Sequence, residues 1–263
     1  MIERIKDCIC HPRSIGKYHK DKAGIVILTI VLFFVLAISV QAVRCFTENP
    51  FDEYSSLAVT SAIIQHGDNT VVYDAKENKL TGESILVDGS GFKLIILPTE
   101  EKISVGRDSI NIVLKEEEAY IYYGITKVSK IAYKDIRMGG FHLGAVAMNS
   151  PSDTYNFRGF IDQILDSSKV YFQASTFVRG ALMTFVYYII CVFFCYILSI
   201  SINPTIDRRV RAKLSFYDGC VFLVGSFFSY LFNVSIIVYF ALVLPLVYAL
   251  ITFRHIIKVV IRR

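Results

Sequence analysis

The sequence predicts a membrane protein of about four transmembrane α-helices. An extracytoplasmic α+β domain, a small antiparallel sheet plus helices, is inserted between the first and second spans. Three observations carry this. Of 263 residues, 54% are apolar, the mean hydropathy is +0.48, and the apolar residues fall in blocks, unlike an average soluble domain. Residues 46–175 form a polar stretch fenced by such blocks. Basic residues collect beside the blocks, the pattern of loops kept on the cytoplasmic side.

The charge partition gives the topology. Residues 1–22, 203–218 and 254–263 together hold fourteen Lys/Arg against five acids, whereas 46–175 hold twelve against eighteen. A nucleic-acid partner would need basic residues gathered on a soluble module, so nucleic acid is excluded despite a pI near 8.8. None of the six cysteines lies in 46–175. An external domain there would be held by packing, not disulfides.

In chain order, residues 1–22 form a cytoplasmic amphipathic tail, with Ile2, Ile5 and Ile9 at helical spacing and Pro12 closing the first turns. Cys8, Cys10 and His11 lack a second cluster to complete a metal site. Residues 23–43 supply 21 uncharged positions between Lys22 and Arg44, and about 20 suffice for a span. A retained anchor is expected; a cleaved signal peptide ending near Val40-Gln41-Ala42 competes, but the apolar run is too long for one.

Residues 44–179 are the extracytoplasmic domain. A helix is expected over 51–65. Strand signals follow at 71–73, 84–87, 92–97, 110–114, 119–123 and 126–133, which reads as an antiparallel meander. Asp88, Gly89, Ser90 and Gly91 form its clearest hairpin turn. Phe157, Phe160, Ile161, Ile164 and Leu165 recur at helical spacing.

The second span is 180–202, followed by a basic cytoplasmic loop, 203–215. The uncharged run 219–253 would extend about 52 Å as one helix, against a hydrocarbon core of about 30 Å. A hairpin of spans 216–232 and 236–253 instead returns the basic tail 254–263 to the cytoplasm, placing both termini inside. Arg208, Arg209, Arg211, Lys213, Arg254, Lys258, Arg262 and Arg263 are the expected topology-setting, lipid-contacting residues.

Small residues four apart let membrane helices approach closely. Three such rows are Cys191, Cys195 and Ser199; Gly225, Ser229 and Asn233; and Ala241, Pro245 and Ala249. They predict a compact bundle of the last three spans, with the first more peripheral. The alternative use of Ser226, Ser229 and Asn233 is a polar path. No ionisable residue is counted inside the spans, which argues against a self-sufficient pump or transporter.

Catalytic, cofactor-binding and metal residues are expected to be none. His66 and His142 are the only histidines of the insert, and no nucleophile elbow, zinc-protease helix or phosphate loop occurs. Glu116-Glu117-Glu118 reads as a charged turn. Tyr120, Tyr122, Tyr123 and Tyr133 read as strand packing, with sugar stacking the alternative.

Several local strings resemble a family of Gram-positive multi-pass membrane proteins, domain-of-unknown-function family 1189, some labelled maltodextrin-utilisation proteins. They are His11-Pro12-Arg13-Ser14-Ile15-Gly16, Leu86-Val87-Asp88-Gly89-Ser90-Gly91, Ile112-Val113-Leu114-Lys115-Glu116 and Ala132-Tyr133-Lys134-Asp135-Ile136. The family's turn is only approximated, because Phe92 intervenes before Lys93. The resemblance implies a bacterial cell-membrane protein, at most an accessory to carbohydrate uptake, and no catalytic residue carries over. The expected function is a non-enzymatic sensor, scaffold or binding protein. Its expected partners are the lipid bilayer, a membrane protein such as a permease, and an envelope or glycan ligand. The alternatives are an auxiliary transporter subunit and a membrane-bound envelope enzyme.

Overall fold

A computed structural model describes residues 2–51, 56–67, 70–89, 91–98 and 110–260, with 257–260 as backbone alone. The chain forms two compact units: Met1–Thr47 with Ser175–Arg263, and Glu48–Ala174.

The first unit is helical. It comprises α1 (Ile2–Cys10), α2 (Pro12–Ile15), a 3-10 helix (Gly16–Lys20) and α3 (Ala23–Thr47). After the inserted unit come most of α7 (Lys169–Ile202), then α8 (Arg208–Phe232) and α9 (Ile236–Val260). Among the described residues four helices, α3, α7, α8 and α9, are long and apolar enough to cross a membrane. Asp207 caps α8 by accepting from Arg209 N, and Asn233 ends it in the left-handed conformation, the usual way a helix stops before a tight reversal.

Contacts at both ends of the helices set their directions. Lys213 Nζ donates to Asp21 O at 2.6 Å, and Arg44 donates to Tyr230 O at 3.2 Å, so α3 and α8 run parallel. Thr252 meets Asp218 while Ala241 lies against Gly225, so α9 returns antiparallel to α8. α7 also runs against α8, with Thr184 bonded to Tyr230 and Tyr188 donating to Phe216 O. Helix α8 is therefore the central element, and α3 packs along it. This corrects the expectation of a peripheral first span. Val26, Thr29, Phe33 and Ala37 are all buried on α3, and a stripe of that width is ample for a tight seam.

Among its described residues the second unit holds α4 (Ser56–His66), α5 (Leu143–Ala147), α6 (Pro151–Asp166) and eight strands. The strands are β1 (Val72–Asp74), β2 (Lys79–Thr81), β3 (Ile85–Asp88), β4 (Phe92–Ile96), β5 (Ile110–Leu114), β6 (Glu118–Tyr123), β7 (Thr126–Ala132) and β8 (Phe141–His142). They form two sheets, ordered β2-β1-β8 and β3-β4-β5-β6-β7. The smaller sheet is antiparallel, but β4 and β5 pair in parallel. The meander is thus broken at one place: about a dozen residues separate Ile96 from Ile110, the length a parallel return requires.

Alternation places Phe92, Leu94, Ile96, Ile110, Ile112, Leu114, Ala119 and Ile121 on one sheet face, in a common core with α4 and α6. An aromatic cluster anchors that core. Tyr73, Tyr133, Phe141 and Phe157 surround Phe160, or one another, at centroid distances of 4.8–5.6 Å. The β3–β4 hairpin turns at Asp88–Gly91, where Gly89 N donates to Phe92 O at 2.9 Å and Gly91 has φ +79°. Ser90 lies outside the described residues.

Candidate functional site

Each unit offers one candidate. In the sheet unit, a cleft of about 450 Å³ is lined by Thr70, Val71, Val72, His142, Gly144, Ala145, Met148 and Ser150. One short loop builds its polar corner. Pro151 starts α6, and Ser150 Oγ donates to Asp153 Oδ2 at 2.7 Å. Asp153 Oδ1 accepts from His142 N at 2.9 Å. These bonds, the His142 amide first, hold the Asp153 carboxyl below its ordinary value. Asp153 is thereby engaged in fastening β8 to α6, which leaves the His142 ring, Ser150 and Thr70 as side-chain polar groups in a largely apolar wall.

In the helical unit, polar groups converge at the bundle end that carries α1, α2 and the 3-10 helix. Asp21 accepts both Arg4 Nε and Arg4 Nη2, at 2.9 and 3.0 Å, and the Tyr217 hydroxyl at 2.6 Å. Asp7 accepts the Tyr18 hydroxyl at 2.7 Å. The bidentate Arg4 pair, foremost, holds the Asp21 carboxyl below its ordinary value. Burial foremost pushes the Cys8 thiol up to about 12. Deeper in the bundle, Asp218 is fully buried. Its Oδ1 lies 2.8 Å from Thr252 Oγ1, which also lies 3.0 Å from Pro12 O. Asp218 Oδ2 has no hydrogen-bond partner.

Asp218 corrects the count of ionisable groups made from sequence. It is the third residue of the predicted span 216–232, just before the uncharged run, so that span does hold an ionisable group. A lone Asp at the edge of a basic loop reads as solvated, and only the packing of α1, α2 and α9 around it shows otherwise.

The small-residue rows are placed as follows. Cys191, Cys195, Ser199, Ser229, Ala241, Pro245 and Ala249 are buried. Gly225 is half-buried against α9, where an added methyl would collide with Ala241 Cβ. Asn233 is exposed in the α8–α9 turn, so it belongs to the reversal and not to a packing row. Ser226 is buried beside Ser229.

Among the basic residues, Arg208, Arg209 and Arg254 are exposed. Arg211 corrects the expectation of lipid contact. It is 5% exposed, and its guanidinium donates to the carbonyls of Asn203, Pro204 and Ile206, closing the loop after α7 where free carbonyls and the helix dipole favour a cation. Lys213 is drawn to Asp21 O. The side chains of Lys258, Arg262 and Arg263 lie outside the described residues.

The other singled-out residues separate. Cys8 is buried while Cys10 and His11 are exposed, and no group of three or more His, Cys, Asp or Glu is placed to hold a metal among the described residues. His66 is exposed at the end of α4. The acidic corner pairs with lysines, Glu116 with Lys79 at 3.1 Å and Glu118 with Lys130. Tyr133 is fully buried, whereas Tyr120 and Tyr122 lie on the opposite sheet face, with Lys127 Nζ 4.1 Å from the Tyr120 ring centre. Tyr123 is exposed in part against Phe172.

No family model matches the chain, and no curated protein and no solved structure matches it.

Proposed function

We propose that the protein is a multi-pass cell-membrane protein, with both termini cytoplasmic and residues 44–179 extracytoplasmic, that binds an envelope component through its sheet unit and acts as a sensor or scaffold. The observation that carries this reading is the cleft beside β1, β8 and α5. Its volume of about 450 Å³ falls in the range of small-molecule sites, about 300–1,000 Å³, and its apolar wall with a few polar groups is their usual composition. The basic loops and acidic insert support the orientation, and the resemblance to carbohydrate-associated membrane proteins points to a glycan.

The test is thermal unfolding of the full-length protein in detergent with maltodextrins and with peptidoglycan fragments. One class is expected to raise the wild-type Tm but not that of Ala145→Trp, whose indole fills the cleft. No shift with either class, or an equal shift in both proteins, overturns the reading.

A second reading is favoured by Asp218. A carboxyl buried inside a spanning helix is a common mark of transport machinery, which restores an auxiliary transporter subunit as an alternative. Affinity capture of the intact protein from membranes separates the two: a stoichiometric permease supports the second reading, and capture of the protein alone supports the first.

A further inference from the structure

The Thr252 hydroxyl presents a problem of proton count. It stands within hydrogen-bond distance of two oxygens, Pro12 O at 3.0 Å and Asp218 Oδ1 at 2.8 Å, yet a hydroxyl carries a single proton. If Asp218 is a carboxylate, both neighbours are acceptors and one contact is left without a hydrogen. If Asp218 carries a proton, the chain closes: Asp218 donates to Thr252 Oγ1, and Thr252 donates to Pro12 O.

The surroundings agree with the neutral form. Asp218 is fully buried, has no ion pair among the described residues, and leaves Oδ2 without a partner. The ionisable groups that face it are Cys8 from α1, Cys195 from α7, Cys220 from its own helix and Tyr248 from α9. None is a base. Of the cations at this end, Arg4 and Lys213 are engaged at Asp21 and Arg211 at the carbonyls after α7, while Arg208, Arg209 and Arg254 are exposed. A bare carboxylate enclosed this way has no cation among the described residues to offset its lost hydration.

Pro12 is the first residue of α2, part of the segment that closes this end of the bundle. Tyr248 donates to Ile9 O, and Ile256 packs on Gly16. Release of that segment would open a route from water to Asp218. The proton on Asp218 and the docking of the segment are therefore linked through one hydroxyl.

We propose that Asp218 is a reversible proton-binding site, and that its proton, relayed through Thr252 to Pro12 O, holds the segment Ile2–Lys20 docked on the bundle. The docked form carries the proton on Asp218. The released form gives it to water and leaves a hydrated carboxylate. Alkalinisation releases the segment, and the released fraction rises by up to about tenfold per pH unit, as for one linked proton.

The test uses the full chain in lipid nanodiscs. Amide hydrogen exchange of α1 and α2, corrected for intrinsic rate, is followed as the pH is raised stepwise from acid to alkaline. Infrared difference spectra over the same range report the protonated-carboxyl stretch. In wild type, exchange is expected to rise as that band is lost. Asp218→Asn, which retains a donor toward Thr252, is expected to stay docked, with no pH step and no band. Thr252→Val keeps the shape without the relay: α1 and α2 are expected to exchange faster than in wild type at acid pH, and the band is lost at a lower pH. The proposal is overturned if wild-type protection is flat across the range, if Asp218→Asn keeps the step, or if Thr252→Val leaves the coupling unchanged.

Discussion

Asp21 sits between Lys20 and Lys22 in the sequence, yet neither neighbour is among its side chain's hydrogen-bond partners. The partners are Arg4 and Tyr217, seventeen and 196 positions away. Asp21→Asn removes the charge from a bidentate pair, and about 1.5–3 kcal/mol of docking free energy is expected to go with it. Faster exchange of the α1 amides reports the loss; unchanged protection would show the pair to be ornamental. The pH dependence has a defined sign. Because Asp21 is held below its ordinary value of 3.8, its contribution is complete above that value and falls away as acid protonates the folded form. Acid therefore loosens the amino-terminal segment through Asp21, whereas base loosens it through Asp218. At this scale little was legible beforehand. Arg211 reads as a loop charge and Asp218 as a solvated group at the edge of a span, because nothing local reveals that three carbonyls await one and that α1, α2 and α9 enclose the other.

Among the elements, α8 has the largest structural role, touching α3, α7 and α9. Gly225 permits its closest approach to α9, where Ala241 occupies the space that a side chain would need. Gly225→Val is expected to destabilise the bundle by about 1–3 kcal/mol through overpacking, lowering the Tm in detergent. Leu231→Val, at a position 49% exposed on the same helix, should leave it unchanged. Equal Tm values for the two variants would deny the seam. The small-residue rows were visible in the sequence because close approach demands particular residue types. That α3 also lies along α8 was not visible, because its apolar surface is nearly uniform and names no partner. In the sheet unit, β3 to β7 were legible from alternation and from Asp88–Gly91. By contrast, β2 and β8 have three and two residues, too short for any period, and pairing with β1 alone defines them. The parallel union of β4 with β5 is a matter of strand direction, which strand pattern does not specify.

For the whole molecule, the contacts put α1, α2, the loop after α7 and the last turns of α9 at one end of the helical unit. Reporters fused at the amino terminus and after Arg263 are therefore expected to show the same sidedness in intact cells. Opposite sidedness would dismantle the four-helix arrangement. The count of four apolar helices follows from the sequence, since crossing a bilayer depends on enough apolar residues in succession, and that is a local quantity. Charge partition likewise belongs to the sequence, since it sums over segments without reference to neighbours. Only the tertiary structure decided which charges are buried, which pair with which, and that a lone carboxyl lies beneath the amino-terminal segment. Burial and pairing arise from residues such as Pro12, Asp218 and Thr252, far apart along the chain and joined only when the helices pack.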